Sequence, residues 1–490
     1  MNSEKSANPF LLVLLTVTAL GLLSFFRPSF TVAGFELRRV NLLADVLQAK
    51  PRPTALAGTS VTNSAQLVQT PAGTPQAVPD STKTTIVVPA IGNIASLDSF
   101  LLALCQAKAT GRKVRVAYFG DSMIEGDLLT GDLRNMLQQA FGGEGVGFVP
   151  ITSVTADFRA TIHQTFSDHW RKYDLVSKQL PAQFPLGISG HAFVASVPQE
   201  ATDSTEAIGP DWAQFGAGGP FAPVRRLTQA RLFYGPGNAH DQVAVTFGTK
   251  QTTEPLAGDA PLNELLLTPS FPAKNLRLSF NCHAPRAVYG VSFEGPKGIT
   301  LDNFSFRGNS GMSLTRIPRQ MLNAFGKEQD YSLLILHYGV NVANAKVQDY
   351  SFYERAMTRV IDRLQKACPH ASILLVGMSD KSYREDGEYV TDPSVPRLLA
   401  AQHRIAERNH VAFWNLFEAM GGENSMVRWV EDAPVMANKD YTHVNARGAR
   451  KMAGLLFQFL MQEYQKAPAS PQATNADTLT AADTTATIPR

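Results

Sequence analysis

A few residues at separated points of the chain have the types and placement needed for acyl transfer. A serine hydroxyl is a weak nucleophile at neutral pH. It needs a histidine base within hydrogen-bond reach, a carboxylate to orient that histidine, and donors for the oxyanion that forms. Ser122 stands in Gly120-Asp121-Ser122-Met123, just after the apolar run Val114–Phe119 (VRVAYF) and before an apolar 3–4 spacing that predicts a helix over 126–141. The head of a helix also offers backbone N–H groups and the positive end of the dipole. The segment is not G-x-S-x-G, because Ile124 occupies the place of the last glycine, so the α/β-hydrolase nucleophile elbow is not matched. Taken alone, the tripeptide also reads as a helix cap.

Asp440 and His443 lie three residues apart in Asp440-Tyr441-Thr442-His443, on a loop before the last helix. A carboxylate there can hold one imidazole nitrogen and leave the other free as a base; the competing reading is that His443 and Asn445 cap that helix. Gly339-Val340-Asn341 ends the apolar run Tyr331–Tyr338. Asn341 offers side-chain N–H donors and Gly339 permits close backbone approach, although a plain strand-end turn would look the same. A second turn, Arg307-Gly308-Asn309-Ser310-Gly311, follows Leu301–Phe306 and can add a backbone N–H.

The elements that must position these residues alternate. Further apolar runs at Ala371–Met378 and Val411–Leu416, with amphipathic helices over 351–366, 395–409 and 446–464, give strands alternating with helices. That pattern implies a parallel sheet covered on both faces, with chemistry beyond the carboxyl ends of its strands. Between about 153 and 303 the texture changes to short alternating runs (QARLFYG, QVAVTFG, NLRLSFNC, AVYGVSFEG) divided by Gly, Pro and Asn. These predict an antiparallel β-sandwich inserted into the α/β domain; the alternative is that some of its strands extend the main sheet.

Gly120-Asp121-Ser122, Gly308, Gly339-Val340-Asn341 and Asp440-Tyr441-Thr442-His443 resemble, in order, the four blocks of the SGNH/GDSL hydrolase superfamily, with Met123 where many members have Leu. The β-rich insert and the run Gly142–Phe148 are similar to the branch of peptidoglycan O-acetylesterases and O-acetyltransferases, whose insert resembles a carbohydrate-binding module. The resemblance covers about 113–466. It implies an α/β fold with a three-layer, flavodoxin-like domain and parallel sheet, interrupted by an antiparallel β-sandwich. It makes Ser122 the nucleophile, His443 the base and Asp440 its partner. The Ser122 and Gly308 N–H groups and the Asn341 side chain would form the oxyanion hole, supported by Gly120, Asp121 and Gly339. No metal or organic cofactor is implied. The expected reaction is removal of acetyl groups from a cell-wall or exopolysaccharide glycan. The alternatives are acetyl transfer onto such a glycan, with a membrane-bound O-acyltransferase as donor partner, and a non-catalytic glycan-binding protein.

The chain has 490 residues, 18% charged, with 45 Lys+Arg against 42 Asp+Glu. Nothing in that balance suggests nucleic-acid binding. Pro9–Phe26 runs without a charge and is just long enough for a membrane anchor. A cleaved signal peptide, with Thr31-Val32-Ala33 as its site, is the alternative. Arg27, Arg38 and Arg39 follow the run and weigh against an outward body; a cell-envelope location, in the periplasm or otherwise outside the cytoplasm, is nonetheless expected from the anchor and tether. The expected division is anchor 1–30, linker 31–88, catalytic part 89–152, insert 153–300, catalytic part 301–466 and tail 467–490. Gly142–Gly147 follows a helix and lacks dinucleotide spacing. His337 reads as a satisfied strand-end histidine, Asp380 and Lys381 as a solvated loop. The four Trp read mainly as packing residues and the three Cys as buried free thiols.

Overall fold

The computed structural model describes residues 31–32, 35–36, 88–200 and 207–467. Residues 1–82 form a unit of their own, whose described part is the antiparallel pair Thr31–Val32 with Phe35–Glu36. The expected anchor at 9–26, most of the tether and the tail after 467 lie outside the described residues. Among the described residues no helix is long and apolar enough to cross a membrane.

Five parallel strands build the catalytic sheet: β1 (Val114–Gly120), β2 (Ile299–Ser305), β3 (Tyr331–His337), β4 (Ser372–Val376) and β5 (Ala412–Trp414). Their spatial order is β2-β1-β3-β4-β5, with Ile91–Gly92 added antiparallel at the β5 edge. This is the doubly wound order whose switch point falls between β1 and β3. Both faces are covered, which is why the strands read as continuous apolar runs. Helices α1 (Asp98–Thr110), α2 (Thr130–Phe141), α6 (Ser425–Glu431) and α7 (Ala446–Lys466) pack on one face. The other face carries α3 (Arg319–Gln329), α4 (Ser351–Ala367) and α5 (Ser394–Asn409). On α4, Met357, Val360, Ile361 and Leu364 form the buried stripe that the 3–4 spacing predicts.

The helix after Ser122 starts later than expected. Residues 122–127 form a short 3₁₀ segment, and Gly126 and Asp127 turn through positive φ (63° and 64°), so the α-helix begins only at Thr130.

The insert is a sandwich of two antiparallel sheets. The near sheet runs 263–267, 230–234, 286–293, 191–195, 171–174; the far sheet runs 250–255, 242–247, 275–281, 211–217, 162–166. Gly147–Val149 also pairs with the 286–293 strand, so the near sheet starts ahead of the expected boundary at 153. Alternate residues of the near sheet face different cores. Leu232, Val288 and Phe193 point into the sandwich, whereas Phe233, Tyr289 and Val194 join the core shared with α3 and α4. Phe233, Tyr289 and Phe148 converge on Phe325 of α3 at ring separations of 5.6, 5.7 and 6.3 Å. The insert is therefore fused to the catalytic domain through buried aromatic packing.

Buried charge reinforces that interface. The Asp127 carboxylate accepts from Arg134 and Thr130 of α2, from Asn303 of β2, and from Arg159 and Thr161 of the insert. Burial pushes its pKa up, but the two guanidiniums outweigh burial and hold it far below the usual carboxylate range. Removing one partner of such a buried cluster strands the remaining charges. Asp127→Ala is therefore expected to lower unfolding stability by about 3–5 kcal/mol, read as a lower denaturant midpoint. A loss below about 1 kcal/mol would mean that water or rearrangement satisfies both arginines.

Candidate active site

All three strand-end loops singled out in the sequence meet at the carboxyl end of the sheet. Ser122 follows β1, Asn341 follows β3 and the 307–311 turn follows β2. The nucleophile candidate is thus flanked by donors from both neighbouring strands, at the switch point. Two glycines make this packing feasible. A Cβ on Gly120 would sit 2.9 Å from the Ile124 side chain, and one on Gly339 would sit 2.3 Å from Met378 Cβ.

Ser122 Oγ lies 2.9 Å from His443 Nε2, and His443 Nδ1 lies 2.8 Å from Asp440 Oδ2. The other Asp440 oxygen accepts from the backbone N–H groups of His443 (2.9 Å) and Thr442 (3.0 Å). Partial burial pushes the Asp440 pKa up, but these N–H donors and the imidazole outweigh it and leave the pKa below the ordinary value. An ionised carboxylate accepts only, so Nδ1 carries the proton and Nε2 is free to accept from Ser122. The loop is braced on its outer side, where Tyr441, at φ 52°, stacks on Tyr389 of the 382–391 hairpin at 3.6 Å between centroids.

The Asn341 amide donates to Asp121 Oδ2 (3.0 Å) and to the Asn309 carbonyl (3.2 Å). Asp121 Oδ1 in turn accepts from the Met123 N–H, capping the turn that carries Ser122. One carboxylate therefore sets both the serine turn and the amide donor, a link the sequence did not reveal beyond the adjacency of Asp121 to Ser122. Gly308 adopts φ 75° on an exposed turn, with open space where a Cβ would lie. Arg307, beside it, pairs with Glu125 of the serine turn at 2.8 Å.

Other residues play different parts. His337 is buried against the Tyr118 hydroxyl at 3.1 Å, and burial pushes its pKa down to about 4. Asp380, expected in a solvated loop, is instead fully buried, accepting from Met426 N–H, Ser425 and Thr391 and so tying the hairpin to α6. Trp414 and Trp429 are core residues, Trp170 packs on Phe280, and Trp212 lies under the Arg277 guanidinium. Among the described residues no group of His, Cys, Asp and Glu is placed to hold a metal.

Burial raises the Asp121 pKa from 3.8 to about 6, against the opposing Met123 and Asn341 hydrogen bonds. The folded chain therefore keeps that proton where the unfolded chain has lost it, and this group's contribution to stability falls as pH rises between those two values. Asp127, with its lowered pKa, acts oppositely and loses stabilisation only in strong acid. Asp121→Asn is expected to remove a decline on the order of 2–3 kcal/mol from the stability profile of the wild type. Denaturant titrations at a series of pH values measure it; superimposable profiles would count against the shift.

Residues 283–451 match the family model described as the GDSL-like lipase/acylhydrolase family. Comparison with curated protein sequences finds no match. Among solved structures, one titled "Peptidoglycan O-acetylesterase in action" superposes with a TM-score of 0.60 at 20% identity, covering 77% of this chain and 100% of that one. A family two carbohydrate esterase from Cellvibrio japonicus aligns over 62% of this chain and 99% of its own at 10% identity, with a TM-score of 0.25. The α/β body of this chain has the SGNH hydrolase fold.

Proposed function

We propose that this chain is a serine esterase that removes acetyl groups from a glycan of the cell envelope. The relay Ser122–His443–Asp440, with both hydrogen bonds under 3 Å, carries the reading. Ser122 Oγ attacks the ester carbonyl as His443 Nε2 takes its proton. Asp440 stays ionised and stabilises the imidazolium. The oxyanion is received by the Ser122 and Gly308 backbone N–H groups and by the Asn341 amide, which exchanges its longer bond to the Asn309 carbonyl for it. Collapse of the tetrahedral adduct breaks the ester C–O bond, and His443 returns the proton to the departing sugar hydroxyl. Water, deprotonated by His443, then releases acetate from Ser122.

Two observations support hydrolysis. The His443 and Asp440 side chains are 39% and 49% exposed, so water reaches the acyl-enzyme. The structural match is to a protein titled as a peptidoglycan O-acetylesterase, and it spans the insert as well as the α/β body. The charge-free run at 9–26 supports tethering of the body in the cell envelope. Transfer to a glycan hydroxyl would use the same residues with a sugar in place of water.

Purified chain is expected to release acetate from O-acetylated peptidoglycan, and Ser122→Ala to lower the rate by at least about 10³-fold. Asp440→Asn is expected to lower kcat strongly while leaving the protein folded, because the wrong imidazole tautomer is then favoured. Acetate released at an undiminished rate by Ser122→Ala would remove it as nucleophile. Failure of a serine-directed organophosphate to label the wild type would favour a non-catalytic binding protein. Loss of glycan acetylation when the protein is deleted from cells would favour transfer.

A further inference from the structure

The sandwich of the insert is open along one edge. Strand 250–255 ends the far sheet and strand 263–267 ends the near sheet, and among the described residues neither has a further strand beside it. Between them lies a slot of about 600 Å³, whose lining includes Val245, Phe247, Leu267 and Phe271. Phe271 is 83% exposed, and Leu266 at the same edge is 54% exposed. Grouped apolar exposure of this kind marks interaction surfaces.

The edge strand carries the pattern of its own partner. The hairpin 242–247/250–255 turns on Gly248-Thr249, with Phe247 opposite Lys250, Val245 opposite Thr252 and Val243 opposite Glu254. Residues directly opposite share a face. Val243 and Val245 belong to the sandwich core, so Lys250, Thr252 and Glu254 face inward, and all three line the slot. A two-residue hairpin closes on a hydrogen-bonded pair, so the backbone groups of 250, 252 and 254 are spent on strand 242–247. Those of Gln251 and Thr253 point out from the edge. Lys250 reaches the Ser270 hydroxyl at 3.2 Å, and among the described residues neither Lys250 nor Glu254 has an oppositely charged partner.

Inward charges on an edge strand deter most incoming strands. A second copy of the same strand, antiparallel about Thr252, matches them. Lys250 then falls opposite Glu254 of that copy, and Glu254 opposite its Lys250. Gln251 and Thr253 exchange N–H···O=C bonds across the seam. Centring the pair on Gln251 or Thr253 leaves the charges unmatched, and centring it on Lys250 or Glu254 sets like charges together. We infer that this edge is a self-association surface, where two copies of the chain join their far sheets through strand 250–255 in the Thr252-centred register. The seam is short beside a standard interface of about 1,600 Å², so the dimer is expected to be weak and concentration-dependent. Its formation is independent of ester hydrolysis.

The test is sedimentation velocity on the full chain over a concentration series. Lys250→Glu, which creates two like-charge pairs across the seam, is expected to weaken dimerisation at least about tenfold. Glu254→Lys is expected to do the same, and the double exchange Lys250→Glu with Glu254→Lys to restore it. All these side chains are at the slot, outside the packed core, so folding is retained. A geometric check uses cysteine. At the axis the two Thr252 Cα atoms would lie about 4.5 Å apart, within the reach of about 4.4–6.8 Å for a disulfide. Thr252→Cys is therefore expected to give a covalent dimer on mild oxidation, with the wild type as blank. Gln251→Cys is expected to give none, because the two copies of residue 251 are diagonal neighbours about 7–8 Å apart. A wild type that stays monomeric would overturn the inference, as would a dimer indifferent to Lys250→Glu. So would a double exchange that fails to restore association, or Gln251→Cys cross-linking as readily as Thr252→Cys.

Discussion

The Asp127 carboxylate is the contact on which the geometry of the site depends. It closes the six-residue turn that begins at Ser122, and it does so from a fully buried position with four side chains of the catalytic domain and insert around it and a fifth, Thr161, at hydrogen-bond distance. Burying an ion costs several kcal/mol unless its lone pairs are filled and its charge is balanced. Here two arginines, one from each domain, supply the balance. A shift of the insert therefore unpairs Arg159 and at the same time loosens the turn that carries Ser122. A second buried cluster repeats the principle at the other end of the sheet, where Arg115 of β1 holds Asp302 of β2 at 2.9 Å and also pairs with Glu294 of the insert.

The site itself separates two carboxylates by environment. Asp440, half exposed and receiving N–H donors, stays ionised and acts on His443. Asp121, buried behind the serine, carries a raised pKa and spends its oxygens on Met123 N–H and the Asn341 amide. Environments that drive two like groups apart in pKa assign them different roles. One pairs with His443, while the other holds the Asn341 amide and the serine turn. The Asp121–Asn341 bond also holds the amide in a fixed orientation, which is the preorganisation that its proposed role at an oxyanion requires.

Much of this was legible. Strand–helix alternation gave the parallel sheet, and the three strand-end loops and the D-x-x-H spacing gave the residues that meet around Ser122. What was not legible has physical causes. Gly147–Val149 is too short to show alternation, and it belongs to a sheet buried on both faces, so its assignment to the sandwich depends on pairing with residues far along the chain. The late start of α2 follows from Asp127, a residue that by itself reads as a helix cap or a solvated charge; positive φ there is imposed by partners at 134, 159, 161 and 303. Asp380 misled for the same reason, since burial of a charged side chain is decided by distant donors that no local pattern announces.

Chain connectivity explains why such partners are needed. The insert enters after α2 through Gly142–Gly147 and returns at Ile299, where the Ile299 N–H bonds to the Gly142 carbonyl. Both covalent connections therefore lie at the amino end of β2, whereas Ser122, Asn341 and His443 gather at the carboxyl ends of the strands. Nothing covalent fixes the insert beside the serine. Noncovalent contacts must do so along the length of the sheet: Arg115–Glu294 near the entry, the Phe148–Phe233–Phe325 aromatic cluster in the middle, and Arg159 and Thr161 on Asp127 at the site. An insert held only at its entry would be free to swing, and any surface it shared with the nucleophile turn would open and close with it. Clamped at the far end as well, it becomes a fixed wall of the cleft, and residues from both domains can line one cavity with constant geometry.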